Sequence, residues 1–89
     1  MNYVAFVHKE PQSCFGVSFP DFPGCASAGD SLGEAVANGA EALCGHVRLM
    51  KADGDMVPKP RTTGAIKRDK SLADDRMGAS LVLIALSQP

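Results

Sequence analysis

Hydrophobic and polar positions alternate in two different rhythms along this chain, and the change of rhythm near residue 30 sets its architecture. Residues 3–8, Y-V-A-F-V-H, are β-branched, aromatic and alanine residues of strand length. Apolar side chains fall on both faces, which predicts a strand central in a sheet. Glu10-Pro11-Gln12-Ser13 is turn composition, because proline cannot continue a strand ladder. In F-G-V-S-F (Phe15 to Phe19) the aromatic and branched residues share one face and Gly16 and Ser18 the other, the pattern of a half-buried strand. Pro20 ends it, and Asp21-Phe22-Pro23-Gly24 reads as a tight turn in which Pro fixes φ and Gly permits positive φ. Cys25 to Ala28 is a short return strand of small residues.

From residue 31 the period becomes helical. Ser31 and Glu34 form an S-x-x-E capping box, each side chain placed to accept a free backbone N–H at the helix start. Asp30 and Glu34 suit the positive end of the helix dipole. Leu32, Val36, Ala40, Leu43, Val47 and Met50 recur at steps of three and four, an amphipathic stripe. Asp53-Gly54-Asp55 stops the helix. Residues 57–64, V-P-K-P-R-T-T-G, read as an extended polar connector, and the whole span 57–79 as a connector with a short helical turn over 71–77 capped by Ser71. The last apolar run, L-V-L-I-A-L (81–86), reads as a strand buried on both faces, either central in the sheet or covered by another subunit.

These elements order as β-β-β-α-β: one α+β domain over residues 1–89, with an antiparallel meander, one main helix on one face and a final strand. A right-handed crossover would lay that strand beside the first and parallel to it, giving a mixed four-stranded sheet in spatial order 3-2-1-4. At 89 residues the core is small, and self-association into a dimer or tetramer would bury apolar surface left over, the last strand's above all.

Charge changes the picture in one respect. The net charge is −1, which argues against general nucleic-acid affinity. Residues 1–55 nevertheless sum to −4 and residues 56–89 to +3, so an acidic folded part precedes a basic connector. That balance suits a basic protein partner better than DNA. The N-terminus lacks the basic leader and apolar run of a signal peptide, and no apolar run approaches the ~20 residues of a membrane helix. Three widely spaced cysteines with no CxxC point to a reducing cytoplasmic compartment.

Two segments together carry a family resemblance: F-P-D-F-P-G-C (Phe19 to Cys25), then G-D-S-L-G-E-A (Gly29 to Ala35), followed by a helix and D-G-D-M-V-P-K-P (Asp53 to Pro60). The chain resembles the HicB family, antitoxins of bacterial and archaeal type II toxin–antitoxin pairs. The resemblance implies a partial, truncated RNase H-like fold and neutralisation of HicA, a small basic mRNA interferase, by direct contact. Many members carry a C-terminal helix-turn-helix or ribbon-helix-helix segment that binds promoter DNA. Nothing follows Pro89 here, so this chain is either a short form or a piece of a longer one, and DNA binding is not expected of it.

The candidate chemistry is thin. RNase H-like nuclease activity needs carboxylates on the first strand, the helix and the last strand converging on two metal ions. Residues 3–8 and 81–86 contain none, which leaves Glu34 and Glu41 without partners and speaks against a degenerate nuclease. His8, His46, Cys14, Cys25 and Cys44 have no metal-ligand spacing, so no metal or other cofactor is expected. An orphan regulatory module without a toxin is the remaining alternative. The candidate partner-binding residues are Asp21 and Phe22, as an exposed carboxylate–aromatic anchor at a turn tip, and Asp30, Glu34 and Glu41, as an acidic surface steering a basic toxin. The structural readings are a turn braced by the Asp21 side chain and a solvated helix face. Lys67, Arg68 and Lys70 read as a solvated loop.

Overall fold

The computed structural model describes residues 1–9 and 14–86. Strand β1 (Asn2–Lys9), β2 (Phe15–Ser18) and β3 (Ala26–Gly29) form the expected meander, and helix α1 (Leu32–Ala52) follows. Helices α2 (Thr63–Arg68) and α3 (Ala73–Arg76), joined by a 3₁₀ turn over Lys70–Leu72, lead to β4 (Ser80–Ala85). The turn expected at 10–13 lies outside the described residues.

The sheet order is β3-β2-β1-β4, the expected one, but every neighbouring pair is antiparallel. The mixed sheet with β4 parallel to β1 is therefore corrected. α1 runs back to the end of the sheet where β1 begins, and a single pass would have returned β4 parallel. The 57–79 segment is not merely an extended connector. Its helical turns run along the opposite face of the sheet, carrying the chain back to the far end, where Ser80 pairs with Val7. Two passes reverse the final strand. The period was hard to see because α2 and α3 are only six and four residues long, too short for a helical stripe. Their capping also differs from expectation. Asp69, not Ser71, caps the 3₁₀ turn, accepting hydrogen bonds from the Ser71 N–H at 2.9 Å and hydroxyl at 2.6 Å.

Because both faces of the sheet are covered, β1 is buried from Tyr3 through Val7. Tyr3, Ala5 and Val7 face α1 with Val17, Phe19, Ile84 and Leu86, against Ala35, Leu43 and Val47 of the helix. Val4 and Phe6 face the other way, onto Ile66, with Leu72, Ala79 and Leu81 around them. The buried stripe of α1 is Ala35, Gly39, Leu43 and Val47. It is rotated from the expected one: Leu32 is largely exposed, and Val36, Ala40 and Met50 only flank the core. A stripe ranked by side-chain size passed over the small residues that let helix and sheet approach. A Cβ on Gly39 would stand 3.1 Å from Val17 Cγ1 and 3.4 Å from Ile84 Cδ1.

Gly29 is tighter still. A Cβ there would lie 2.4 Å from the Ala35 backbone nitrogen. The first turn of α1 is seated on β3 at this point, so the G-D-S-L segment needs glycine for space, not for backbone freedom. The capping box forms in altered detail. Ser31 Oγ accepts from the Glu34 N–H at 3.1 Å, and Glu34 Oε1 accepts from the N–H of Asp30 at 3.4 Å.

These two glycines predict opposite outcomes. Gly29→Ala meets rigid backbone and should destabilise the chain by about 2–3 kcal/mol, as overpacking does. Gly39→Ala meets movable methyl groups and gains up to ~1 kcal/mol of helix propensity, so it should be close to neutral. Urea denaturation followed by circular dichroism checks both.

Candidate functional site

The five candidate residues separate into two groups at opposite ends of the molecule. Asp21 and Phe22 lie where β1 begins and α1 ends. Asp30 and Glu34 lie at the start of α1, with Glu41 two turns further along it.

The turn at Asp21–Phe22 is not an exposed anchor. Phe22 is 1% exposed. Its ring stands edge-on to Tyr3, with centroids 4.7 Å apart, and edge-on to His46 of α1 at 5.8 Å. The Asp21 side chain is 3% exposed. One of its oxygens accepts from Arg61 Nε at 2.6 Å and the other from the Arg61 backbone N–H at 3.0 Å. Arg61 Nη1 also donates to Asp69 Oδ2 at 2.9 Å, and Nη2 to the Pro20 carbonyl at 3.4 Å. One guanidinium thus ties the 20–24 turn to the start of the second pass. A buried carboxylate requires such a partner, since an isolated one would cost several kcal/mol to desolvate. The Asp69 carboxyl is held below its ordinary range by hydrogen bonds from Ser71 and Arg61.

Tyr3 completes this end of the molecule. Its hydroxyl donates to the Pro58 carbonyl at 2.6 Å. Burial, with a smaller contribution from the nearby Asp21 charge, raises the phenol above its ordinary value of 10.0. Sequence reading missed Arg61, Asp69 and Pro58 as partners. The separations of 40 residues for Asp21–Arg61 and 55 for Tyr3–Pro58 leave no periodic signal.

The remaining candidates meet the geometric expectation of a solvated acidic face. Asp30, Glu34 and Glu41 are exposed. Neither of the two ion pairs found among the described residues involves them. Seven residues separate Glu34 from Glu41, so the two carboxylates share a face about 10 Å apart along the axis. Asn38, between them, turns inward and donates to the Ala28 carbonyl at 2.8 Å. At the end of α1, Leu49 in its last turn and Met56 just beyond it expose apolar surface beside Asp53 and Asp55 along a groove that reaches Phe22 and His46. Among the described residues, no three His, Cys, Asp or Glu side chains are placed to hold a metal ion. No described helix is long and apolar enough to cross a membrane.

A family model described as the HicB-like antitoxin of bacterial toxin–antitoxin systems matches residues 3–88. This chain belongs to that family. The HicB-like fold is shared with the N-terminal domain of the Burkholderia pseudomallei antitoxin HicB, at a TM-score of 0.80 and 30% identity over 99% of this chain and 100% of that one. A chain in the solved HicA3 and HicB3 toxin–antitoxin complex matches at a TM-score of 0.78 and 26% identity, over 99% of this chain and 100% of that chain. An uncharacterised 14.9 kDa protein from the rep-hol intergenic region of Haemophilus phage HP1 is 51% identical over 43 residues. That match covers 48% of this chain, which spans only about a third, 32%, of the phage protein.

Two predictions follow from the buried end of this HicB-like chain. Arg61→Met leaves the Asp21 carboxylate buried without its cation and should destabilise the fold by about 2–4 kcal/mol, a range lowered because the arginine itself is partly exposed. Asp69→Asn keeps the central pair and should cost a small fraction of that; chemical denaturation compares the two. The second concerns pH. A phenol whose folded pKa is raised stabilises the fold fully below the unfolded value of 10.0, and that contribution is lost as pH rises through the folded pKa. The chain has one tyrosine and no tryptophan. Tyrosinate absorbance should therefore titrate above pH 10.0, together with loss of stability, and Tyr3→Phe should remove this alkaline dependence.

Proposed function

We propose that this HicB-like antitoxin acts as a non-enzymatic binding module that neutralises a HicA-type mRNA interferase, occluding the toxin's RNA-binding or catalytic surface by direct contact. The observation that carries this reading is the combination of family membership over residues 3–88 with an exposed carboxylate row on α1 that forms no ion pair among the described residues. A fold neighbour from a HicA3–HicB3 complex supports a toxin as the partner class. Electrostatics supply the physical reason. A small basic protein is steered to an acidic helix face, and exposed charges act mainly on the association rate. Asp30, Glu34 and Glu41 are the contact carboxylates in this reading. Asp21 and Phe22 act indirectly, by holding the turn and the end of α1 in place.

The test is inhibition of RNA cleavage by a HicA-type protein, taken from the neighbouring reading frame if one is encoded there. Wild-type protein should form a complex on gel filtration and abolish cleavage. The double variant Glu34→Lys/Glu41→Lys should associate about tenfold or more slowly at low salt. Asp74→Lys/Asp75→Lys, on the other side of the sheet, should leave the rate unchanged. Unimpeded cleavage in the presence of the wild-type chain, with no complex, overturns the proposal.

A further inference from the structure

Three choices near the end of α1 are unfavourable for the chain by itself. Gly45 stands inside the helix, where glycine is less stable than alanine. The fold does not require it, because a Cβ there would meet no atom from elsewhere in the fold within 4 Å. Gly39 differs, since its missing Cβ makes room for Val17 and Ile84. Asp53 and Asp55 put two carboxylates at the C-terminus of α1, the negative end of its dipole, where acids are disfavoured. Neither forms an ion pair among the described residues. Leu49 and Met56, 68% and 90% exposed, leave two large apolar side chains in water.

These choices meet in one place. His46 and Leu49 border two hollows. The first, of about 500 Å³, is lined by Phe22, Leu49, Met50 and Met56 together with Asp53 and Asp55, and no lysine or arginine among the described residues lines it. The second is walled by the small residues Ala26, Ala42 and Gly45, with Arg48 beside them. Arg48 turns back along the helix and donates to Cys44 Sγ at 3.6 Å. Steps of seven, four and four set Glu34, Glu41, Gly45 and Leu49 along one face of α1. The hollows therefore continue the acidic row, with Leu49 about 12 Å beyond Glu41 along the axis.

We propose that this end of α1 is the apolar anchor of the toxin-binding surface, taking an apolar side chain of the toxin against Leu49 and Met56 with a lysine or arginine beside it on Asp53 and Asp55. Gly45 leaves the toxin's chain room to lie against the helix. This rests on the toxin-binding reading above and gives its surface a second part with a different task. Exposed carboxylates on Glu34 and Glu41 act mainly on association. Apolar side chains that leave water only in the complex act mainly on dissociation. Charge and continuity select the occupant: a hollow bordered by two unpaired acids, in line with the acidic row, suits a basic protein that reaches the row itself. Local rules of stability are broken in this way where a site requires it.

Binding kinetics of the whole chain with the same HicA-type protein supply the test. Leu49→Ser/Met56→Ser alters only exposed side chains, so circular dichroism should not change. Its dissociation should quicken about a hundredfold, with association within about twofold of wild type. Gly45→Gln should raise the thermal midpoint, because glutamine suits a helix better than glycine, yet dissociate about tenfold faster or more. Asp53→Asn/Asp55→Asn should bind about tenfold more weakly at low salt without losing stability. A wild-type dissociation rate in either Leu49→Ser/Met56→Ser or Gly45→Gln overturns the proposal and leaves toxin binding standing. A Gly45→Gln chain less stable than wild type also overturns it, because the fold itself would then require the glycine. Failure of the wild-type chain to form any complex overturns the toxin reading and this surface together.

Discussion

One ion pair joins two distant points of this chain's path. Asp21 sits in the turn between β2 and β3, and Arg61 sits at the start of the segment that crosses the far face of the sheet. Their contact fastens the point at which the chain leaves the α1 side and begins its second pass. The carboxylate is nearly inaccessible to water, while the guanidinium is partly exposed and shared with Asp69. The pair therefore places its desolvation cost on the acid and keeps the cation partly hydrated. Net stabilisation from such a pair is modest, whereas removing one partner is costly. The same contact ties the 20–24 turn to the connector across 40 residues.

The consequences of that route reach the rest of the fold. A second pass covers Val4 and Phe6, so β1 is buried on both sides and serves as the common wall of two small cores. It also turns β4 antiparallel and places it at an edge. The Tyr3 hydroxyl and the Phe22 ring brace the same end, joining β1, the turn, α1 and the connector through one hydrogen bond and two ring contacts. At the other end the molecule is held differently, by the close seat of α1 on Gly29 and by the Ser31–Glu34 cap. The acidic face of α1 lies between these two fixed ends, on a helix whose position is set from both.

At the tip of the F-P-D-F-P-G-C segment the side chains are engaged within the chain itself. Asp21 and Phe22 have side chains suited to recognition, yet here they recognise Arg61, Tyr3 and His46 of their own chain. The carboxylates of Asp30, Glu34 and Glu41, by contrast, are exposed.

The elements whose signals are local were legible in the residues themselves. The alternation in 15–19, the Pro-Gly turn, the S-x-x-E cap and the apolar 81–86 run each depend on neighbours a few positions away, and each element stands within a residue or two of its expected place. The order 3-2-1-4 matches the expected one, although the parallel crossover from which it was argued does not occur. Tertiary structure alone decided the direction of β4, the helix over Thr63–Arg68, the true buried stripe of α1 and the fate of Asp21 and Phe22. These depend on contacts between segments far apart in the chain, or on the close approach of helix and sheet at Gly29 and Gly39. A one-dimensional pattern records how apolar a position is, but not which distant surface will arrive to cover it.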